Sequence, residues 1–456
     1  TVVGHRAVDS DTKGNRTTAV GYAALQTQNF TSATDTYNTA VGFHAGYAVS
    51  TGLRNTILGG FAGDAITTGH DNIAIGYRAL TTNTVGDANT AVGMHALDQM
   101  NPASNADTYN TGLGYNAGYS VTTGTQNTLL GALAGDAITT GSYNVAIGVS
   151  GAGALTTGSY NVAVGRSTMQ GTATGNQNVV VGDAAGAALT SATQNTIIGA
   201  SAGNDQTTGF QNALLGFNSG GKITTGSYNT GIGTNTLAEI TSANNNTGIG
   251  YQALDNENTG NDNVAVGSAA LSNQQGAADN VAVGRVAGLN ISTGNKNTAI
   301  GSNAMYTNTA GNRSVAVGYT ALYYQNASSS TDMYNTAVGY NAGGAITTGI
   351  NNTFVGGLAG DGKTTANNNT AVGRSALTSA GSGSENTAVG TTSLLSVTTG
   401  IGNQALGWQT GYYLTTGSYN SLLGHNAGLN MTTAEANTLI GGFAGDGLTT
   451  GSSNVA

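Results

Sequence analysis

The chain has 456 residues, 12 of them basic and 21 acidic, so 7% is charged where an ordinary soluble domain carries roughly 25%. A formal charge of −9 leaves no cationic surface able to neutralise a run of phosphates, which excludes nucleic-acid binding. Cysteine is absent, which excludes disulfides and thiolate metal sites, and no apolar run approaches the roughly 18–20 residues of a membrane-spanning helix, so no membrane insertion is expected.

Followed from the first residues, the chain repeats itself. Gly4 and Gly21 are 17 residues apart, and a four-residue insertion in QNFTSATDTYN then delays the next glycine to Gly42. Gly59, Gly76 and Gly93 follow at intervals of 17, after which QMNPASNADTYN, with the sole proline Pro102, inserts four residues before Asn110. Regular intervals run from Gly114 to Gly318, QNASSSTDMYN inserts four more before Asn335, and the period of 17 resumes from Gly339 to Gly441. Twenty-six glycines are therefore in register, and the three insertions read as one kind of loop outside the coil at one corner. Both ends fall inside a repeat, so residues 1–456 are expected to be one continuous array, a segment of a longer protein.

With Asn as position 0, the consensus is N-T-A-V-G-Y-N-A-G/L-x-x-x-T-T-G-S-Y. A period of 17 is too short for helical-hairpin repeats or propeller blades, and no apolar spacing of three and four supports a helix. The pattern predicts an all-β parallel β-solenoid (a β-roll) of about 26 coils. One strand is expected at x-N-T-A-V-G and a second at positions 10 to 13, as in Ala65 to Thr68 and Ala137 to Thr140. Glycines at positions 4 and 14, such as Gly42, Gly59 and Gly76 at position 4, supply corners where a side chain would clash or φ is positive. Asn recurs at position 0, as in Asn38, Asn55, Asn72, Asn89, Asn110, Asn127, Asn144 and Asn161, in 24 of 26 places, with Thr17 and Ser314 the exceptions. Stacked Asn amides can bond from coil to coil at a buried turn, although Asn is also a common turn residue in its own right.

Positions 2 and 3 are both apolar, yet successive strand residues point to opposite faces. Position 3 is always Val, Ile or Leu, as in Val41, Ile75, Val266 and Val283, and position 2 is mostly Ala. A strand covered on both faces reads this way. The coil covers one face, so the chain is expected to pair with itself as a homotrimer that shares the other around an axis.

Strings such as NVAIGVSGAGALTTGSYNVAVG and NTAIGSNAM resemble the head repeats of YadA-like trimeric autotransporter adhesins and, more closely, the repeats of phage and bacterial tail-fibre proteins. The resemblance covers the whole chain. It implies a trimeric, left-handed β-roll acting as an extracellular shaft or stalk on a virion tail or bacterial surface, joined to flanking fibre or anchor domains. The coil here is longer than that of the adhesin heads, and no membrane anchor, coiled coil or chaperone domain is visible in the sequence.

No catalytic, metal or cofactor constellation emerges, so neither an enzyme nor a cofactor is expected. His5 and His425 share position 5 at opposite ends, His44 and His95 share position 6 three coils apart, and His70 stands at position 15. Asp262 and Asp279 share position 16 in neighbouring coils and are read as a solvated turn rather than as a carboxylate pair. Asp64, Asp136, Asp361 and Asp446 follow Ala-Gly at position 9, where each is expected to bond to its own turn. Tyr37, Tyr109, Tyr143, Tyr160, Tyr228, Tyr334 and Tyr419 precede the Asn and form candidate surface contacts. They either pack on the next corner or, in an adhesin reading, meet a host-surface glycan or receptor. A third reading is ice binding by the Thr-Thr file (Thr67-Thr68, Thr139-Thr140, Thr224-Thr225, Thr449-Thr450), interrupted at Ala173, Gln275-Gly276 and Gly381-Ser382.

Overall fold

The computed structural model describes residues 1–171 and 174–456, and Ala173 lies outside them. The described residues form no helix. They fall into two compact units, residues 1–228 and 229–456. Each unit is a parallel β-solenoid with one short strand per coil at positions 1 to 3, thirteen such strands among the described residues of each. In the first unit the strand Thr39–Val41 pairs in register with Thr56–Leu58, and that with Ile73–Ile75. In the second, Val264–Val266 pairs with Val281–Val283, and that with Thr298–Ile300. Each residue pairs with the one a full period away, because the repeat places identical side chains opposite one another.

The central strand residue faces inward and its two neighbours face out. Ala40, Ile57, Leu129, Leu214 and Phe354, all at position 2, are buried, whereas Val2 in the first coil is exposed. They meet the small residues of position 7 (Ala45, Ala62), the Leu or Met that some coils carry at position 8 (Leu25, Met305) and the aliphatics of position 11 (Ile66, Ile138, Val397), all buried. The core is thus a narrow column inside each unit.

The expected second strand does not form. Ala65 to Thr68 and Ala137 to Thr140 lie in turns and bends. The reason is an alternation in the backbone that begins at the corner glycine. In the coil of Asn55, the N–H groups of Phe61, Gly63, Ala65 and Thr67 donate to carbonyls of neighbouring coils. Those of Ala62 and Ile66, between them, donate to Gly59 and Gly63 three residues back in their own coil. A strand would need every ladder bond to leave the coil. The same geometry sets residues of positions 6, 8 and 16 at positive φ, including the non-glycine residues Phe61 (57°), Leu80 (53°) and Tyr143 (60°).

The insertions are not free loops. Thr34–Asp35 pairs in parallel with Gly14–Asn15, Ala106–Asp107 with Gly86–Asp87, and Thr331–Asp332 with Gly311–Asn312. Each longer coil therefore adds a two-residue ladder against the coil before it. Arg16–Asp35 (3.3 Å) and Arg313–Asp332 (3.1 Å) ion pairs flank two of these ladders.

Candidate functional site

The asparagines at position 0 from Asn38 to Asn437 are buried and linked from coil to coil. Asn55 N–H donates to Asn38 Oδ1 (2.9 Å), and Asn72, Asn89, Asn110, Asn127, Asn144 and Asn161 repeat the bond at 2.9–3.2 Å. In the 17-residue coils Nδ2 caps its own coil by donating to the position-14 carbonyl, as Asn38 to Gly52, Asn55 to Gly69 and Asn127 to Gly141 (2.8–2.9 Å), whereas Asn89, which begins a longer coil, donates to Asn72 Oδ1 and the Asp87 carbonyl. Every amide so placed meets a need that would cost about 1–3 kcal/mol if left unmet in the core. Thr17 and Ser314, which replace Asn, stand at position 0 of two of the longer coils. There Gln28 and Gln325 accept from Asn38 and Asn335 (both 3.0 Å), and the ladder restarts.

Gly42, Gly59 and Gly76 have φ of 142°, 134° and 129°. A Cβ on any of them would stand 2.5 Å from the carbonyl oxygen of the next corner glycine. At position 14 the constraint is contact rather than φ: a Cβ on Gly52 would be 2.4 Å from the Gly69 oxygen.

The position-3 aliphatics lie on the outer side of the sheet. Val41 is 38% and Val283 37% exposed, Ile75 and Val266 are half-buried, and at the same position Leu113 and Leu215 of the first unit and Ile249, Leu406, Leu423 and Ile440 of the second are exposed. Near residues 387–440 this face dips into a 430 Å³ concavity floored by Val389, Leu406, Leu423 and Ile440.

The seven tyrosines before the Asn are all exposed, at a corner where φ is positive. Most rest on the preceding coil. Tyr37 receives a hydrogen bond from Arg16, Tyr143 OH accepts from Gln126, Tyr160 stacks on Tyr143 at 4.7 Å, and Tyr228 meets Phe210 edge-on at 5.1 Å. Tyr334 lies under the Arg313 guanidinium, and Tyr419 covers Gly402. Tyr109 instead donates to Asp107 in its own coil.

Three arrangements escape reasoning by offset. The Asp98 carboxylate, 1% exposed, lies 2.5 Å from His95 Nδ1 and 3.4 Å from Arg78 Nε. Asp64 and Asp361 each leave Oδ1 buried without a hydrogen-bond partner, and burial pushes the carboxyls of Asp64, Asp136 and Asp361 above the usual range. Asp262 and Asp279 are exposed. No group of three His, Asp or Glu able to hold a metal occurs among the described residues. The threonine file is occupied in part: the hydroxyls of Thr67, Thr139, Thr347 and Thr415 donate to position-12 carbonyls of the next coil.

The third is Lys363, fully buried at position 11 where most coils carry an aliphatic residue. Its Nζ donates to the Val397 carbonyl two coils away. Burial lowers its pKa from 10.5 to about 8. Between those values the unfolded chain holds a proton that the folded chain has released, so stability rises with pH across that window. Below pH 8 both states hold it and the buried charge is a standing penalty of roughly 3 kcal/mol. Lys363→Met is expected to stabilise the protein at pH 7 by roughly 2 kcal/mol, allowing about 1 for the lost bond to Val397. It should also flatten the dependence on pH between 8 and 10.5, as denaturant melts at pH 7, 9 and 10.5 will show.

The chain matches no protein-family model, and none of the curated proteins matches it.

Proposed function

We propose that the chain is a structural shaft: a stiff segment of an extracellular fibre, on a virion tail or bacterial surface, that assembles as a homotrimer and has no catalytic role. The observation that carries this reading is the outward Val, Ile and Leu side chain at position 3 of the coils in each unit, half-buried in some coils, as at Ile75 and Val266, and 36–62% exposed in others, as at Val41, Leu113, Ile249 and Ile440. Soluble monomers rarely leave contiguous apolar patches larger than a few hundred Å² open to water. A face that repeats one aliphatic residue at every coil is self-complementary, so further copies of the same chain cover it with residues in register. The ladder within each coil supports the mechanical side of the reading. Hydrogen bonds between coils run through strand, corner and turn alike, so bending a unit strains bonds on every side. Flanking fibre or anchor domains attach the shaft and carry its tip.

Native mass measurement tests this. The wild-type chain is expected at three times its monomer mass, and the double substitution Val266→Asp and Val283→Asp at monomer mass with unchanged far-UV circular dichroism. The contrast lies with Ala265→Asp, on the inner face of the same strand, where an unpaired carboxylate costs several kcal/mol and should abolish folding itself. A wild-type chain that stays monomeric at micromolar concentration overturns the shaft assembly.

A further inference from the structure

In the second unit, one short stretch concentrates tyrosine. Tyr306, Tyr319, Tyr323, Tyr324 and Tyr340 come from three successive coils. Tyr306 and Tyr323 stack at 5.1 Å with an interplanar angle of 2°, Tyr324 stands edge-on to Tyr323 at 4.7 Å and 77°, and Tyr319 stacks on Tyr340 at 5.7 Å. Between them opens a 340 Å³ recess lined by Asn303, Tyr319, Thr320, Tyr323, Tyr324 and Asn341. Asn303, Thr320 and Asn341 all occupy position 6, and the positive φ there (59°, 54° and 51°) directs successive side chains of the corner to one place. Tyr319 and Tyr324 remain 50% and 56% exposed.

The chemistry of this lining is specific. It contains no charged side chain, which disfavours phosphate, carboxylate and ammonium ligands, because nothing there compensates their desolvation. It offers aromatic surface together with two amides and a threonine hydroxyl; Thr320 Oγ1 donates to the Tyr319 carbonyl (2.8 Å) and Asn341 Nδ2 to Asp361 Oδ2 (3.4 Å), which leaves each amide one further N–H to donate and lone pairs to accept. The complementary ligand has one apolar C–H face and a rim of neutral hydroxyl or amide groups. The volume, at the lower end of the roughly 300–1,000 Å³ of small-molecule sites, suits one or two sugar rings. A polyproline peptide also favours aromatic surfaces but needs an extended groove, whereas the lining of this recess is confined to six residues of three coils. By contrast, the 210 Å³ recess at the equivalent corner of the first unit is lined by Phe61, Asp64, Tyr77, Arg78 and Thr81 and is charged.

We infer that the recess between Tyr319, Tyr324 and Asn341 is a binding site for a neutral saccharide, one ring stacking on tyrosine and its hydroxyls meeting the position-6 amides. This goes beyond the shaft reading and does not depend on it. The experiment is titration calorimetry and saturation-transfer NMR on the full chain. The panel holds neutral hexoses, N-acetylhexosamines and their disaccharides, with sialic acid and a proline-rich peptide for comparison. A neutral saccharide is expected to bind, with the saturated signals on one ring face. Tyr324→Ala and Asn341→Ala should each weaken binding about tenfold or more, Tyr324→Phe should retain most of it, and Tyr77→Ala in the first unit should leave it unchanged. Because Tyr324 is half exposed, the Tyr324→Ala melting temperature should match wild type, separating lost binding from lost fold. The inference is overturned if no neutral saccharide binds at millimolar concentration, if binding survives Tyr324→Ala, or if sialic acid or the peptide binds better. It also fails if Tyr324→Ala changes the mass of the assembly, since the recess would then belong to a contact between copies.

Discussion

Gly267→Ala is expected to cost roughly 3–5 kcal/mol, a large fraction of the roughly 5–15 kcal/mol that holds a domain together. The added Cβ would lie 2.5 Å from the Gly284 carbonyl oxygen, at a φ of 133° that an L-residue rarely adopts. Neither problem relaxes locally. Shifting the corner outward breaks the bond from Gly267 N–H to the Ile249 carbonyl, and the neighbouring corners are held by the same contact in turn. Gly357→Ala is the control. That glycine follows the corner, has no positive φ, and an added Cβ meets nothing within 4 Å, so its effect should stay within about 0.5 kcal/mol. Equal losses in the two variants would show that glycine content, and not close approach at position 4, sets stability. Chemical denaturation of both proteins beside wild type decides the matter.

Deleting Asn263 to Asp279, one full period, is expected to leave a folded protein one strand spacing shorter, about 4.8 Å. Asp262 and Asp279 share the same φ of 60°, so the new junction from Asp262 to Asn280 reproduces the old one. Asn280 N–H then finds Asn246 Oδ1 where it had Asn263 Oδ1. Deleting Asn263 to Ala278 leaves one residue too many in the coil. The slip turns Val281 inward and Ala282 outward and carries Asn280 out of the ladder. Its buried amide loses partners at about 1–3 kcal/mol each, and the misplacement passes to every coil beyond. The shorter deletion should therefore melt at least ten degrees lower or fail to fold, as circular dichroism and thermal melts of the two proteins will establish. If they melted alike, stacking in register would not be what holds the coils.

A free loop outside the coil could be removed at little cost, but each insertion pairs with the coil before it. Removing Ser329 to Asp332 takes away the ladder to Gly311–Asn312 and the Asp332 partner of Arg313. A measurable loss of stability is expected, smaller than that of a slipped register, because the inner coil closes through Gln325 and Asn335 regardless.

How much of this was legible in the sequence follows from where each interaction lies. The period, the Asn ladder and the corner glycine involve the same position in neighbouring coils, so a repeat in the sequence is a repeat of contacts, and offset alone reveals them. The alternation of positions 2 and 3 showed that one faces in and one out, but which was which depends on how the backbone turns at Gly42 or Gly267. Tertiary structure decided that alanine fills the narrow column and Val41 and Val283 look outward. It also decided the turn that replaces the second strand, because residues such as Phe61 and Leu80 accept positive φ only when bonds to adjacent coils hold them there. Side chains that depart from the consensus were least legible. Lys363 reaching Val397, Asp98 between Arg78 and His95, and Tyr319 beside Tyr324 and Asn341 each join different offsets of different coils. A one-dimensional repeat records which residue sits above which; it does not record how far a long side chain extends sideways across a corner, and there the three-dimensional path of the chain has the final word.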